Sequence, residues 1–464
     1  MKYTKYSVFT MILALLLALS LVGCDTVAEN VSETVSSDVT TENHAPVCTE
    51  HRWIDASCTH SKLCLACGET EGEPVPDAHA YTEKDGAYVC VYCGVAAPET
   101  PCEHVKGADT CPLCGREALN VIKNVIYIIG DGMGLEHIAA GEMAYGKDYV
   151  FDDWSFVSSN TDSLTPGGRN QSELTDSAAG ATALATGVVT LNGYVGVDQD
   201  GNELSTVLDF AKERGKRTGV ITTDYLYGAT PGGFSAHCND RDESMAILES
   251  QIQSNIDLLC GAVKKSVALD EEIITENGYR HCSSLPAMKA SMSVPKLYCT
   301  LDLEGYSSSA NPVKLCDVTA SALKYLDNDE GFVLMIEQAH IDKASHNNEF
   351  EKMVRAVNSL NETVDAILEW IGDRTDTVVL ITADHETGDF SASSSKTLPY
   401  SASVDGGPTV YYRFNSGSHT KSNVPLFIYG ADVDIESISY FGTPYTVKNS
   451  DIYKIVCKLI QNQR

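Results

Sequence analysis

The sequence predicts an α/β protein with a large, mostly parallel sheet that helices cover on both faces. From Asn120 onward, apolar runs of strand length alternate with helical segments, which is the pattern of a sheet built from βαβ units. The strand-length runs are continuously apolar, as expected of strands that are buried on both faces. At 464 residues, the chain is long enough for two or three domains.

The composition excludes one class of partner. The formal net charge is −31, and nucleic-acid backbones require lysine and arginine, so we expect no nucleic-acid partner. A surface of this charge also repels anionic substrates. Binding of an anion would therefore depend on local attraction, which favours bound cations over a general basic field.

Residues 1–24 have the features of a targeting segment. Lysines precede an apolar run from Met11 to Val22, and the run ends at Leu21-Val22-Gly23-Cys24. This ending resembles a bacterial lipoprotein signal, in which Cys24 is lipidated and anchors the mature protein to a membrane. An uncleaved anchor is the alternative, and both interpretations place the protein outside the cytoplasm, at the cell surface. Residues 25–43 are polar and are expected to form a flexible tether.

A cysteine-rich, zinc-ribbon-like module is predicted over residues 44–116. Three C-x-x-C pairs are each followed directly by glycine, and such a turn presents two sulfurs of a tetrahedral site. The spacing favours two or three structural zinc sites, whereas a disulfide framework is the alternative in an exported protein. The candidate ligands are Cys48, Cys58, Cys64, Cys67, Cys90, Cys93, Cys102, Cys111 and Cys114.

The segment Thr175 to Gly187 is predicted to form a helix of small residues. Asp176 or Ser177 is a suitable N-cap, so Ser177 lies at a helix N-terminus, which favours an anion such as a phosphate or a serine oxyanion. Capping alone would also explain a serine at this position. As a nucleophile, Ser177 would need activation, and no Gly-x-Ser-x-Gly motif surrounds it. A metal ion is therefore the better-supported activator.

Acidic side chains follow several of the predicted strands. Ligands of open α/β sheets bind beyond the carboxyl ends of the strands, so these side chains are expected to share one site. Each of them could instead cap a helix or close a turn. The predicted strands and the residues that follow them are Val125–Ile129 with Asp131, Gly219–Thr222 with Asp224, Phe332–Ile336 with Glu337, and Val378–Thr382 with Asp384 and His385.

A further group of metal-ligand types follows Glu337. Asp342 and His346 are four residues apart, so on a helical turn they share one face and can bind one ion. Glu337 is out of phase with them and could serve a different ion. His419 lies in a Gly-Ser-rich loop, from which it can be brought to the sheet.

Residues 120–464 resemble the alkaline phosphatase family. The matching motifs occur in the family's order and span nearly the whole region. The resemblance implies an alkaline phosphatase-like fold, hydrolysis of phosphate monoesters through a phosphoserine on Ser177, and a homodimer. The motifs are Gly130-Asp131-Gly132-Met133-Gly134, Thr175-Asp176-Ser177-Ala178-Ala179, Ala229-Thr230-Pro231, Glu337 with Asp342 and His346, Thr382 to Gly388, and His419.

The resemblance also implies two zinc ions, one magnesium ion and a phosphate-binding arginine. Gly228 stands where some family members carry an aspartate near the magnesium site, and Lys343 is another variable position. His and carboxylate ligands suit zinc, whereas an oxygen-only set suits magnesium. The implied groups are Asp342, His346 and His419 for one zinc; Asp131, Asp384, His385 and the Ser177 oxygen for the second; Asp131, Thr230 and Glu337 for magnesium; and Arg241 for phosphate.

Two other functions remain open at this stage. The same metal set could serve phosphodiesters or sulfates in a related enzyme of the superfamily, but Ser177 together with Arg241 favours monoesters. Alternatively, the chain could be a non-enzymatic zinc-ribbon lipoprotein that binds a partner. The complete set of ligand residues argues against a decayed catalytic domain.

Overall fold

The computed structural model describes residues 53–54, 61–64, 70–74, 81–84, 87–90, 122–164, 171–305, 312–430 and 446–461. The predicted signal (1–24), including Cys24, and the tether (25–43) lie outside the described residues. Among the described residues, no helix combines the length and the apolar character that a membrane crossing requires. Seven cysteines of the predicted zinc module also lie outside the described residues: Cys48, Cys58, Cys67, Cys93, Cys102, Cys111 and Cys114.

The described part of the cysteine-rich segment consists of short antiparallel strands. The first three form one small sheet, and the last two form a separate pair. Cys64 and Cys90 are the last residues of two of these strands. The five strands are β1 (Trp53–Ile54), β2 (Lys62–Cys64), β3 (Thr70–Glu71), β4 (Tyr81–Lys84) and β5 (Ala87–Cys90).

The part of the chain from residue 122 onward is built around a ten-stranded sheet, and the sequence predicts a large, mostly parallel one. In chain order, the remaining strands are β6 (Asn124–Gly130), β7 (Ser155–Ser159), β8 (Asp162–Leu164), β9 (Gln171–Leu174), β10 (Arg217–Tyr225), β11 (Leu258–Ala262), β12 (Arg280–Cys282), β13 (Leu297–Thr300), β14 (Phe332–Gln338), β15 (Thr377–Thr382), β16 (Glu386–Thr387), β17 (Phe390–Ser393), β18 (Tyr400–Ser403), β19 (Thr409–Phe414), β20 (His419–Thr420), β21 (Val424–Tyr429) and β22 (Thr446–Val447). The large sheet has the order β12-β13-β11-β10-β14-β6-β15-β21-β7-β22. Only β21 runs antiparallel to its neighbours.

Helices cover both faces of this sheet, which confirms the predicted fold class. In chain order they are α1 (Leu135–Tyr145), α2 (Ser177–Thr186), α3 (Val207–Lys212), α4 (Ala229–Ser235), α5 (Ser244–Gln253), α6 (Glu271–Glu276), α7 (Leu285–Lys289), α8 (Leu315–Leu326), α9 (His340–His346), α10 (Phe350–Ile371) and α11 (Asn449–Gln461). One hydrophobic cluster joins the sheet to α1, α8 and α10. The opposite cluster joins it to α2, α3, α5 and α11.

The register of the central strands brings the candidate site together. Thr222 of β10 pairs with Glu337 of β14, which pairs with Ile129 of β6, which in turn pairs with Thr382 of β15. The four parallel strands therefore reach the same level of the sheet, and the residues that follow them converge at one edge. The acidic side chains consequently meet at this edge.

His419 reaches the site by strand pairing. The sequence places it in a loop, but the structure places it in the two-residue strand β20, where it pairs with Thr387 of β16. β16 follows Asp384 and His385 directly in the chain. This short antiparallel pair therefore fixes His419 beside the residues that follow β15.

Candidate active site

Ser177 is the first residue of α2, and Asp176 is the N-cap. Asp176 Oδ1 accepts a hydrogen bond from the Ala179 backbone N–H at 2.9 Å, which satisfies one of the donors that a helix N-terminus leaves unpaired. Ser177 is 5% exposed, and its Oγ lies 3.2 Å from Nε2 of His385. A Cβ added at Gly180 would lie 3.0 Å from Asp384, so this glycine lets α2 approach the acidic edge of the sheet.

Asp131, Asp384 and His385 form a buried cluster next to Ser177. His385 Nε2 lies 3.3 Å from Asp384 Oδ2 and 3.6 Å from Asp131 Oδ1. Asp384 Oδ1 accepts hydrogen bonds from the backbone N–H groups of Gly132 and His385. Asp384 Oδ2 and Asp131 Oδ1 accept none from the residues that the structure describes. Both oxygens lie near His385 Nε2 and have lone pairs available for a cation.

Asp342, His346 and His419 form a second cluster. Nε2 of His346 lies 3.0 Å from Nε2 of His419 and 3.3 Å from Asp342 Oδ1, and His419 Nε2 lies 3.7 Å from the same oxygen. The rings of His419 and His385 are stacked with their centroids 3.5 Å apart, so the two clusters are adjacent. The His346 side chain is the most open of the three, with 37% exposed.

The hydrogen bonds to the other ring nitrogens determine the histidine tautomers. His346 Nδ1 lies 2.8 Å from the Gly417 carbonyl, and His419 Nδ1 lies 2.7 Å from the Thr175 carbonyl. Because a carbonyl oxygen can only accept, both Nδ1 atoms carry a proton, and a neutral ring then has no proton on Nε2. Two bare Nε2 lone pairs 3.0 Å apart cannot hydrogen-bond to each other. A cation that both nitrogens bind would satisfy them, so this donor set fits a metal ion.

Thr387 joins the two clusters. Its Oγ1 donates to Asp342 Oδ1 at 2.5 Å and lies 3.2 Å from His385 Nδ1. Since the hydroxyl proton is used on the carboxylate, the hydroxyl accepts from His385, which leaves His385 Nε2 unprotonated on the side of Ser177. Gly132, at φ +73°, passes so close that an added Cβ would lie 2.8 Å from both Asp342 and Thr387. Thr387 lies in the predicted Thr382 to Gly388 motif, but this role of its hydroxyl depends on tertiary contacts that no sequence pattern indicates.

A third group contains only oxygen ligands. Glu337 is 1% exposed and accepts a hydrogen bond on Oε2 from the hydroxyl of Thr222, its partner in the strand register. The Thr230 hydroxyl lies beside the Glu337 carboxylate and is buried. It forms no well-aligned hydrogen bond with any described residue. Such a set suits a hard divalent cation.

Burial and mutual repulsion shift the pKa values of the buried site groups. Burial, with the nearby charge of Asp342, raises the pKa of Asp384 to about 6. Burial, with the charge of Asp224, raises the pKa of Glu337 to about 8. Burial and the charges of Asp384 and Asp342 raise the pKa of Asp131 well above its usual value. A cation beside these carboxylates would favour their ionised form.

The pKa of His385, the histidine of the first cluster, is lowered. Burial, reinforced by His419, lowers the pKa of His385 to about 3. Its ring is therefore neutral at physiological pH, which is the form that binds metal ions. This protonation state agrees with the hydrogen bond of His385 Nδ1 to Thr387.

Arg241 pairs with the residue that caps α2. Its Nη1 lies 2.9 Å from Asp176 Oδ2, which also accepts from the Gly193 backbone N–H. Burial lowers the pKa of Arg241, but Asp176, and then Asp131 and Asp384, outweigh that effect and raise it. The guanidinium therefore lies within the field of the first cluster, close to the N-terminus of the helix that carries Ser177.

The structure thus brings the residues predicted for the active site together at one edge of the sheet. Two further residues also lie there: Asp224, which the sequence predicts at this edge without a ligand role, and Glu386, to which it assigns no role. Asp224 pairs with Lys343, with Oδ2 at 3.0 Å from Nζ. Glu386 accepts from the Thr420 hydroxyl and from the Phe390 backbone N–H, so it ties β20 to the site. Their long-range pairings carry no local sequence signal.

The fold and the site define a class of α/β proteins in which a serine at a helix N-terminus adjoins clusters of side chains that could hold metal ions. The sequence matches the alkaline phosphatase family over residues 122–270 and 300–446. The chain belongs to the alkaline phosphatase family.

Characterised relatives carry the same family name. Alkaline phosphatase 4 of Bacillus subtilis is 32% identical over 301 residues, which are 59% of this chain and 63% of that protein. Alkaline phosphatase 3 of the same organism is 32% identical over 294 residues, 58% of this chain and 62% of that protein. The aligned region therefore spans less than two thirds of either relative.

Solved structures show the same fold. The alkaline phosphatase of the Antarctic bacterium TAB5 superposes with a TM-score of 0.63 at 24% identity, covering 74% of this chain and 99% of that one. The alkaline phosphatase of Thermus thermophilus superposes with a TM-score of 0.62 at 19% identity, covering 78% and 96%.

Proposed function

We propose that this protein hydrolyses phosphate monoesters to an alcohol and inorganic phosphate through a phosphoserine on Ser177. The observation that carries the proposal is the position of Ser177 Oγ, at a helix N-terminus and 3.2 Å from His385 Nε2. Membership of the alkaline phosphatase family supports the same reaction.

Two zinc ions and one magnesium ion are proposed as cofactors. The bare histidine nitrogens and the buried carboxylate oxygens without hydrogen bonds favour cations at this edge of the sheet. When bound, such ions supply Lewis acidity and lower the pKa of an attacking hydroxyl or water. The proposed ligands are Asp342, His346 and His419 for one zinc; Asp131, Asp384, His385 and Ser177 for the other; and Asp131, Thr230 and Glu337 for magnesium.

The protein's own groups bind the phosphate and orient the nucleophile. The planar guanidinium of Arg241 is suited to two phosphate oxygens at once, which a lysine ammonium cannot match. Ser177 Oγ attacks phosphorus as its hydroxyl proton is released, and the bond to the alcohol oxygen breaks. That oxygen takes up a proton and leaves as the alcohol, and the phosphoryl group stays on Ser177. The N-terminus of α2 favours negative charge on Oγ as the serine attacks and again as it leaves. Water then cleaves the phosphoserine and releases phosphate.

Monoesters are the proposed substrate class because the Arg241 guanidinium, which can bind two phosphate oxygens, lies close to the helix N-terminus that carries Ser177. None of the described residues is proposed to bind the leaving alcohol, so a broad range of monoesters is expected. The same assay would reveal the related alternatives, phosphodiesterase or sulfatase activity. It would also reveal a protein that binds zinc through its cysteines and hydrolyses none of the esters.

The test is a comparison of three nitrophenyl esters with the full-length protein supplied with zinc and magnesium. We expect the phosphate monoester to be hydrolysed much faster than the phosphodiester or the sulfate, and activity to disappear after treatment with a chelator. Faster hydrolysis of the diester or the sulfate would contradict monoesters as the substrate class and would favour the ester that reacts fastest. No hydrolysis of any ester, with zinc still bound, would favour the binding lipoprotein.

We also propose that the enzyme acts at the cell surface, attached through a lipid on Cys24. The apolar run before Cys24 and the polar tether after it support this location, and the cysteine-rich module would lie between anchor and enzyme. Incorporation of a labelled fatty acid in a bacterial host, lost in Cys24→Ser, would test it. The homodimer and the structural zinc sites stay predictions.

A further inference from the structure

We infer that Asp224 supplies an additional carboxylate to the oxygen-ligand site of Thr230 and Glu337, in space that Gly228 leaves open. The inference rests on the proposed function, because it concerns the site proposed for magnesium. It assigns a role to a residue outside the set of ligands implied by the family resemblance.

Asp224 lies at the carboxyl end of β10, next to this site. The Asp224 backbone N–H donates to Thr222 Oγ1 at 2.8 Å, and the same hydroxyl donates to Glu337 Oε2. One threonine therefore ties the backbone of Asp224 to the Glu337 carboxylate. Through this threonine, the partly exposed Asp224 side chain is held next to the buried Glu337 carboxylate.

The two oxygens of Asp224 have different surroundings. Oδ2 pairs with Lys343 Nζ at 3.0 Å, whereas Oδ1 is buried and has no hydrogen-bond partner among the described residues. Leaving a buried carboxylate oxygen without a partner is unfavourable, and a cation would remove that cost. The Thr230 hydroxyl and Asp131 Oδ1 are also buried and accept no hydrogen bond from described residues.

Gly228 makes room for the Asp224 carboxylate. A Cβ added at Gly228 would lie 3.0 Å from Asp224 Oδ2 and 2.9 Å from the Tyr225 carbonyl. A side chain at position 228 would therefore compete with Asp224 for the same space. Because Gly228 has no side chain, the carboxylate at this place comes from the end of the neighbouring strand.

The charges of this group suit a divalent cation. Asp131, Asp224 and Glu337 provide three carboxylates, and Lys343 provides one ammonium, which leaves two negative charges when all are ionised. Oxygen-only ligands and this balance favour a hard ion such as Mg²⁺ over zinc. Asp224 thereby contributes both a ligand oxygen and the charge that offsets Lys343.

The test is magnesium affinity, measured by calorimetric titration of the zinc-loaded, full-length protein. We expect Asp224→Asn to weaken magnesium binding by at least about tenfold, the loss typical of groups that support a metal site. Zinc content per chain is expected to stay unchanged. The matched control is Asp200→Asn, which removes the same charge from an exposed loop and should bind magnesium like the wild type. Affinity within about twofold of wild type in Asp224→Asn would overturn the inference.

A second variant separates a ligand from a residue that merely positions Lys343. Lys343→Gln leaves the Asp224 carboxylate in place and removes a positive charge, so magnesium affinity should be equal to or higher than in the wild type. Equal weakening in Lys343→Gln and Asp224→Asn would mean that Asp224 acts only through the lysine, which would overturn the inference. The magnesium-induced rise in melting temperature provides a second readout, because a purely structural role would lower stability equally with and without magnesium.

The same titration distinguishes a failure of the proposed magnesium site from a failure of the role assigned to Asp224. Absence of saturable magnesium binding in the wild type would contradict the metal set of the proposed function. Tight binding in the wild type that persists in Asp224→Asn would contradict only the role of Asp224.

Discussion

The Arg241 guanidinium lies 2.9 Å from Oδ2 of Asp176, and Oδ1 of the same carboxylate caps the helix that begins at Ser177. One side chain therefore holds both the helix of the proposed nucleophile and the proposed phosphate-binding residue. The two tasks depend on different properties of Asp176, since capping needs an acceptor oxygen and the ion pair needs a charge.

Asp176→Asn is expected to separate these two tasks. Asparagine keeps the capping oxygen and loses the acceptor for the Gly193 N–H, so the melting temperature should fall less than in Asp176→Ala. Loss of the charge frees Arg241, and inhibition by inorganic phosphate should weaken by about fivefold, as expected for a partly exposed ion pair. Inhibition constants and thermal unfolding measure the two effects. Asp176→Ala should also lower the free energy of unfolding, by about 1 kcal/mol; an unchanged inhibition constant in both variants would contradict the role of the pair.

His419→Ala is expected to remove one zinc ion per chain and most of the activity together. His419 Nε2 lies beside His346 and Asp342, so its loss takes away one of three proposed ligands. Metal analysis of the purified full-length protein measures the change. His281→Ala is the control, because His281 binds Glu271 and Thr300 away from the site. Unchanged zinc content in His419→Ala would show that this ligand assignment is wrong.

Thr387→Val tests the hydroxyl that joins the two clusters. Valine keeps the shape of threonine but cannot donate to Asp342 or accept from His385 Nδ1. Supporting hydrogen bonds of this kind are typically worth about 10- to 100-fold in metal affinity. Competition with a zinc chelator should reveal the loss. Thr363→Val, in which the lost hydroxyl bonds only to its own helix, should retain wild-type zinc affinity.

Stability of the chelator-treated protein should fall as the pH rises from about 7 to about 8. The folded pKa of Glu337, about 8, exceeds the value of about 4.3 in an unfolded chain. Between these values, the folded state keeps a proton that the unfolded state has released, so raising the pH favours unfolding. Histidines of the unfolded chain have an unperturbed pKa of about 6.5 and contribute little above pH 7.

The variant Glu337→Gln isolates this effect. Glutamine cannot ionise, so the decline in denaturant midpoint between these two pH values should become smaller than in the wild type. Saturating zinc and magnesium should also reduce the decline in the wild type, because bound cations stabilise the carboxylate form. Equal pH dependence of the wild type and Glu337→Gln without metals would contradict the assignment of the raised pKa to Glu337.

The sequence predicted the sheet and the site residues because both depend on local pattern. A buried parallel strand is a continuous apolar run, and the residue after it lies at the ligand-binding edge, so Asp131, Glu337 and Asp384 could be assigned from the chain alone. The spacing of Asp342 and His346 likewise predicts one helical face. α9 confirms that they share a helix.

Other features could not be predicted because they arise only from tertiary contacts. The pairing of Thr387 with His419 in β16 and β20 involves two-residue strands that leave no periodic pattern. The ion pair of Asp224 with Lys343 joins residues that are far apart in the chain. Of the predicted zinc ligands in residues 44–116, only Cys64 and Cys90 lie among the described residues, so that module stays a prediction.

The most direct test of the central claim is to trap the phosphoserine. The full-length protein, with zinc and magnesium, would be quenched in acid during turnover of a phosphate monoester and examined by mass spectrometry after proteolysis. We expect phosphate on Ser177 in the wild type and in Ser321→Ala, which alters a buried serine of α8 outside the site. Ser177→Ala should carry no phosphate and should turn over at least roughly 1,000-fold more slowly. Undiminished turnover in Ser177→Ala, or phosphate on a different residue, would contradict the account.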